Sequence, residues 1–147
     1  YPHAPLDRES ARGLTQALKD LAGPGGIQLV LDPVGGDYAE PAFRALAWEG
    51  RYLVVGFPAG IPRLPLNYVL FKSCDVRGVF WGEFAEREPA RNRANVDQLL
   101  RWWEEGRIRP RIARRWPLAR GGEAIEWLAG RGAIGKAVVE MDAPSPA

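Results

Sequence analysis

A chain of 147 residues supports one ordinary hydrophobic core and is short for two. Its 46% hydrophobic, 10% aromatic and 26% charged composition is globular and excludes a wholly disordered chain. A formal charge of +2, from 17 Arg, 3 Lys and 18 acids, is too balanced to imply a nucleic-acid partner by itself.

No run of 18 apolar residues is present, so no membrane span is expected. Met141 is the only methionine and the chain opens on Tyr1, which reads as a processed chain or as a segment of something longer. The first residues lack the charged start and apolar run of a signal peptide. Cys74 and His3 are each the only residue of their kind, which leaves no disulfide framework, no zinc cluster and no Ser- or Cys-based triad. An unpaired cysteine accords with an intracellular, cytoplasmic location.

Strands and helices alternate along the chain. Leu14, Ala17, Leu18 and Leu21 share one helical face within 7–22, and Gly23-Pro24-Gly25-Gly26 stops that helix. Ile27 to Leu31 is a short strand whose continuous apolarity predicts burial on both faces. Asp32 reads as a strand-end residue holding its turn. Asp37 and Glu40 have capping-box spacing for a helix that carries Phe43, Leu46 and Ala47 and ends near Gly50.

Residues 52–57 form the second predicted strand, followed by a loop with three prolines between Pro58 and Pro65. A short helix at 67–72 precedes a third strand at 75–81. Val96, Leu99, Leu100 and Trp103 define one face of a helix at 89–105 that Gly106 terminates. A strand at 111–116, a helix at 119–128 and a strand at 136–141 complete the pattern, and the tail 142–147 reads as frayed. Arg107, Arg109, Arg111, Arg114, Arg115 and Arg120, with no acid between 107 and 122, read as a solvated strand face or as a strip that contacts phosphates.

Strands joined by helices need crossover connections, which predicts an α/β fold with a mainly parallel, doubly wound sheet. Ligands in such sheets sit beyond the carboxyl ends of the strands. Val34-Gly35-Gly36, Gly56 to Gly60 and Val79 to Gly82 fall at that edge. Their glycines are either turn formers or places where a ligand approaches the backbone. No Gly-x-Gly-x-x-Gly follows a strand, so a pyrophosphate cradle is missing from these residues.

Leu31-Asp32-Pro33-Val34-Gly35-Gly36-Asp37, the run Leu46 to Phe57, Gly78-Val79-Phe80-Trp81-Gly82, Gly106 to Pro110 and Gly135-Lys136-Ala137-Val138-Val139 occur in order over nearly the whole chain. Together they resemble the zinc-independent quinone oxidoreductases, relatives of zeta-crystallin in the medium-chain dehydrogenase/reductase superfamily. The resemblance implies the carboxyl-terminal part of an NADPH-dependent enzyme that reduces a quinone or enone-like substrate. It implies the second half of a Rossmann-type cofactor domain over 1–105, and over 106–147 the segment that returns to the catalytic domain. The fingerprint half would precede Tyr1.

Carried over residue by residue, Val34, Gly35 and Gly36 match the loop passing the adenosine ribose. Gly56, Phe57 and Pro58 match the loop whose backbone holds the nicotinamide end, and Val79, Phe80 and Trp81 match the strand end over its carboxamide. Tyr1 matches a residue near the adenine or its phosphate, and Lys136 the family's carboxyl-terminal lysine. No catalytic acid or base and no metal ligand is implied. Phe80, Trp81 and Trp116 are candidates for an apolar substrate wall or for core packing. The segment 75–81 is implied to be a sheet edge that pairs with its copy in a homodimer. The isolated chain is expected to lack enzyme activity. The rival reading is a cofactor-free dimerisation or partner-binding module.

Overall fold

The structure is a computed structural model in which residues 6–130 and 133–141 are described. Tyr1, His3 and the tail 142–147 lie outside the described residues. By packing, the chain separates after Phe84 into two compact units.

The first unit begins with α1 (Arg8–Ala22), whose first turn is capped by the Asp7 carboxylate accepting the Ser10 N–H at 2.7 Å. β1 (Ile27–Asp32), β2 (Leu46–Val54) and β3 (Asp75–Gly78) form a parallel sheet in the order β1-β2-β3. α2 (Ala39–Ala45) and α3 (Asn67–Lys72) supply its cover. The core gathers Ala39 and Phe43 of α2, Leu46 and Tyr52 of β2, and Cys74, with Tyr68 and Val69 of α3 packed against it. The Phe43 and Tyr52 rings meet edge to face at 5.5 Å between centroids. Thr15 of α1 donates to the Pro41 carbonyl of α2 at 3.1 Å.

Four features depart from the sequence-based expectation. Leu29 and Leu31 are 56% and 62% exposed, so the apolarity of β1 does not mean burial on both faces. The helices cover the Val30 and Tyr52 side, and the opposite side carries no cover among the described residues. Asp37 caps nothing: it sits inside a 3₁₀ turn, Gly36–Tyr38, that runs directly into α2.

α2 ends at Ala45 rather than near Gly50. The Lys72 ammonium donates to the carbonyls of Arg44 and Leu46, which satisfies acceptors left at the helix end. Leu46 then continues in extended conformation, pairing with Ile27 before the register shifts so that Leu29 meets Arg51. Trp48 to Gly50 form the bulge, with Glu49 at φ +56. The predicted second and third strands also stop early, at Val54 and Gly78. The last bond between them is Val79 N–H to the Val54 carbonyl, 2.8 Å, and α4 (Trp81–Arg87) starts two residues later.

The second unit holds α5 (Pro89–Glu104), then β4 (Ile112–Pro117), α6 (Gly121–Ala129) and β5 (Lys136–Glu140). β4 and β5 pair in parallel, with α6 in the connection between them. Trp116 is buried, with its ring 5.2 Å from that of Trp127, so core packing is its role. Val96, Leu99, Leu100 and Trp103 do share a face of α5, but that face is exposed. The arginine strip is largely engaged: Arg107, Arg115 and Arg120 pair with Glu105, Glu140 and Glu123, and Arg114 lies over the Trp116 ring.

Candidate functional site

The carboxyl ends of β1, β2 and β3 lie side by side because the three strands are parallel and adjacent. Asp32, the last residue of β1, is only 7% exposed, and its carboxylate is fully used. One oxygen, Oδ1, accepts the N–H groups of Val34 and Gly35 at 2.9 and 2.8 Å. The other, Oδ2, accepts the Tyr52 hydroxyl at 2.5 Å. A buried carboxylate with three donors is a satisfied one. Burial, then the hydrogen bond to Asp32, pushes the Tyr52 hydroxyl far above the usual phenol range.

The backbone carbonyl of Asp32 joins the same arrangement by accepting Val55 N–H at 2.9 Å and Gly56 N–H at 3.4 Å. Beyond it the two loops bond to one another: Gly36 N–H donates to the Gly60 carbonyl at 2.7 Å, and Ala59 N–H to the Val34 carbonyl at 3.0 Å. Gly35 and Gly36 have φ values of +69 and +57. A β-carbon on Gly35 would lie 2.7 Å from the Gly60 carbonyl oxygen, and one on Gly36 would lie 2.5 Å from that of Ala59. Glycine is therefore required at both positions by loop-to-loop contact.

Val34, Gly35, Gly36, Gly56, Phe57 and Pro58 are thus brought together, and Val79, bonded to Val54, adjoins them. Phe80 and Trp81 are 76% and 66% exposed, which rules out core packing for both within the described residues. Lys136 lies exposed on β5 in the second unit, and Tyr1 falls outside the described residues. Ala59 and Gly60, read from the sequence only as part of the turn, join the arrangement through their bonds to Val34 and Gly36, and Tyr52 belongs to it without having been singled out. For Tyr52 the signal was there: a hydroxyl in a buried strand needs a partner, and Asp32 ends the neighbouring strand.

Three polar groups at this edge have no protein partner among the described residues. The N–H groups of Phe57 and Phe80 make no internal hydrogen bond. The Tyr38 hydroxyl is buried and unpartnered, in the wall of a 230 Å³ hollow shared with Asp32 and Val34. Uncommitted main-chain donors at a sheet edge fit the amide and ribose groups of a dinucleotide. They offer nothing to a metal. No three His, Cys, Asp or Glu side chains come together among the described residues, and Cys74 is buried in the core.

Parallel strands joined by helices, with glycine-rich turns at their carboxyl ends, define an open parallel α/β fold of the Rossmann type. Residues 8–139 match the zinc-binding dehydrogenase family, and the chain belongs to that family, within the medium-chain dehydrogenase/reductase superfamily. It is 34% identical over 133 residues to quinone oxidoreductase-like protein 2 of Bos taurus, covering 90% of this chain and 38% of that one. An NAD-dependent alcohol dehydrogenase of known structure is 25% identical, with a TM-score of 0.69 over 86% of this chain and 34% of that chain. A mycobacterial protein solved with NADPH superposes with a TM-score of 0.73 over 91% of this chain and 41% of that chain; at 23% identity that likeness concerns the fold. The chain therefore spans little more than a third of the length of the quinone oxidoreductase-like relatives it matches. The relatives are oxidoreductases, and the Rossmann-like α/β fold with parallel sheets is the one the sequence predicts. No helix among the described residues is long and apolar enough to cross a membrane.

Proposed function

We propose that this chain is the nicotinamide-positioning part of an NADPH-dependent oxidoreductase acting on quinone or enone-like acceptors. The observation that carries the reading is the joined pair of loops tied to Asp32, next to the uncommitted N–H groups of Phe57 and Phe80. When bound, the nicotinamide supplies the hydride, so the protein's task is orientation and exclusion of water.

In this reading Val34, Gly35 and Gly36 meet the adenosine ribose. The main chain at Gly56, Phe57 and Pro58, and at Val79 and Phe80, holds the carboxamide end, with Phe80 and Trp81 as an apolar wall against solvent. Lys136 and Tyr1 are carried as cofactor contacts on resemblance alone. Residues 106–147 are the segment returning to the catalytic domain. β3 is an edge strand with four exposed residues, which supports a homodimer formed through that edge. One unpaired cysteine accords with a cytoplasmic setting.

Calorimetric titration of NADPH and NADH into the chain tests the reading. It predicts saturable binding that Gly36→Ala abolishes, with NADPH preferred. Absence of binding by either cofactor contradicts it and favours the cofactor-free dimerisation or partner-binding module. Purified alone, the chain is expected to show no cofactor-dependent quinone reduction.

A further inference from the structure

Asp32 is bonded from β2 at two points. Its main-chain carbonyl accepts Val55 and Gly56 N–H just past the end of β2, and its Oδ2 accepts the Tyr52 hydroxyl at 2.5 Å. Tyr52 is fully buried, with its ring edge to face against Phe43. A phenylalanine ring would fill the same space, so packing does not account for the hydroxyl. Burying a hydroxyl with a carboxylate costs solvation that an apolar pair of the same shape would not. What this pair supplies, and an apolar pair would not, is direction.

The terminal torsion of an aspartate is broad, so a single bond does not fix where its two oxygens point. With Oδ2 tied to Tyr52, Oδ1 is turned to the Val34 and Gly35 N–H groups, 2.9 and 2.8 Å away. The Ala39 carbonyl, 3.5 Å from the hydroxyl, is the poorer acceptor and does not compete. The turn so held bonds in its next residues to the second loop, from Gly36 N–H to the Gly60 carbonyl and from Ala59 N–H to the Val34 carbonyl. A buried side chain of β2 thus sets the turn after β1 relative to the loop that β2 itself enters.

We infer that Tyr52 is a positioning residue: through Asp32 it holds residues 34–36 at a fixed offset from the Phe57 N–H group, without itself meeting a ligand. The effect on NADPH rests on the proposed function, whereas the order of the turn rests on the geometry alone.

The test compares Tyr52→Phe, which deletes the hydroxyl and keeps the ring, with Val69→Ala, which loosens the same core from α3. In the free chain, hydrogen exchange at the Val34 and Gly35 amides should rise roughly tenfold in Tyr52→Phe relative to the β1–β2 ladder amides. In Val69→Ala that ratio should hold. In calorimetric titration, NADPH should bind Tyr52→Phe about fivefold more weakly and Val69→Ala as it binds the parent. On the unsubstituted chain the Tyr52 hydroxyl proton should give a slowly exchanging resonance, a readout that needs no variant to fold. Unchanged protection at Val34 and Gly35, the same relative loss in Val69→Ala, or absence of the hydroxyl resonance would overturn the inference. So would NADPH binding Tyr52→Phe as tightly as the parent. Failure of NADPH to bind the parent would count against the proposed function, and the exchange comparison would then decide the positioning role by itself.

Discussion

The Tyr52 hydroxyl donates to Asp32 at 2.5 Å across adjacent strands, while the other oxygen of the same carboxylate holds the N–H groups of Val34 and Gly35. A phenol in the core thereby fixes the acid that shapes the candidate cofactor loop. Core packing and loop geometry are linked through one buried side chain.

Removing the phenol oxygen leaves a nearly buried carboxylate short of a partner. Tyr52→Phe is expected to lower stability by about 1–3 kcal/mol, measured by urea denaturation. Asp32→Ala, which orphans two N–H groups and the Tyr52 hydroxyl, should cost at least as much. A Tyr52→Phe variant as stable as the parent would show that the link carries no energy.

The same pair predicts a pH dependence. In the unfolded chain Tyr52 ionises near pH 10, whereas in the folded protein burial and Asp32 hold its hydroxyl protonated well beyond that. The unfolded state therefore binds fewer protons above about pH 10, and stability falls as pH rises past that point. Below it the contribution is complete. Burial, with the charge of Lys19, shifts Lys72 downward, which acts in the opposite sense, but Lys72 is common to both proteins. The difference in stability between parent and Tyr52→Phe should therefore be constant from pH 7 to 9 and shrink above 10. A constant difference through pH 11 would contradict the assignment.

Gly36→Ala tests the contact between loops. A side chain at φ +57 costs about 1–3 kcal/mol, and its β-carbon would lie 2.5 Å from the Ala59 carbonyl oxygen. The loops must separate, and the bond from Gly36 N–H to the Gly60 carbonyl should break. Amide exchange at Gly36 should then rise at least tenfold, with the β1–β2 amides still protected. Unchanged exchange would refute the contact.

The proposed dimer has a sharper test in β3. Val79 N–H points to β2, so by strand alternation the N–H groups of Val76 and Gly78 face the free edge. Val76→Pro removes an edge donor without breaking a bond to β2. Sedimentation equilibrium should show a dimer for the parent and a monomer for this variant, with unchanged circular dichroism. A dimer that survives the substitution uses another surface.

Much of this was legible from residues alone. Glycine-proline clusters and helical spacing locate α1, α3, α5 and α6 closely, because there local preference and packing agree. Leu46 shows why the end of α2 was not legible. Its spacing from Phe43 suits a helix, yet it reaches the core from extended backbone while Lys72, 26 residues away, closes the helix end. Exposure was equally hidden. Leu29 and Leu31 read as buried because period alone does not say what lies on the far side of a sheet. At the site, Val34 to Gly36 and Gly56 to Pro58 were visible as turns. Their attachment through Gly60 and Tyr52 depends on strand order, which spacing does not state.

Amide chemical-shift mapping with NADPH on the uniformly ¹⁵N-labelled chain tests the central claim most directly. The predicted result is saturable perturbation centred on the N–H groups of Phe57 and Phe80 and on residues 34–36, lost in Gly36→Ala. Saturation with those amides unmoved, or no perturbation anywhere, would contradict it.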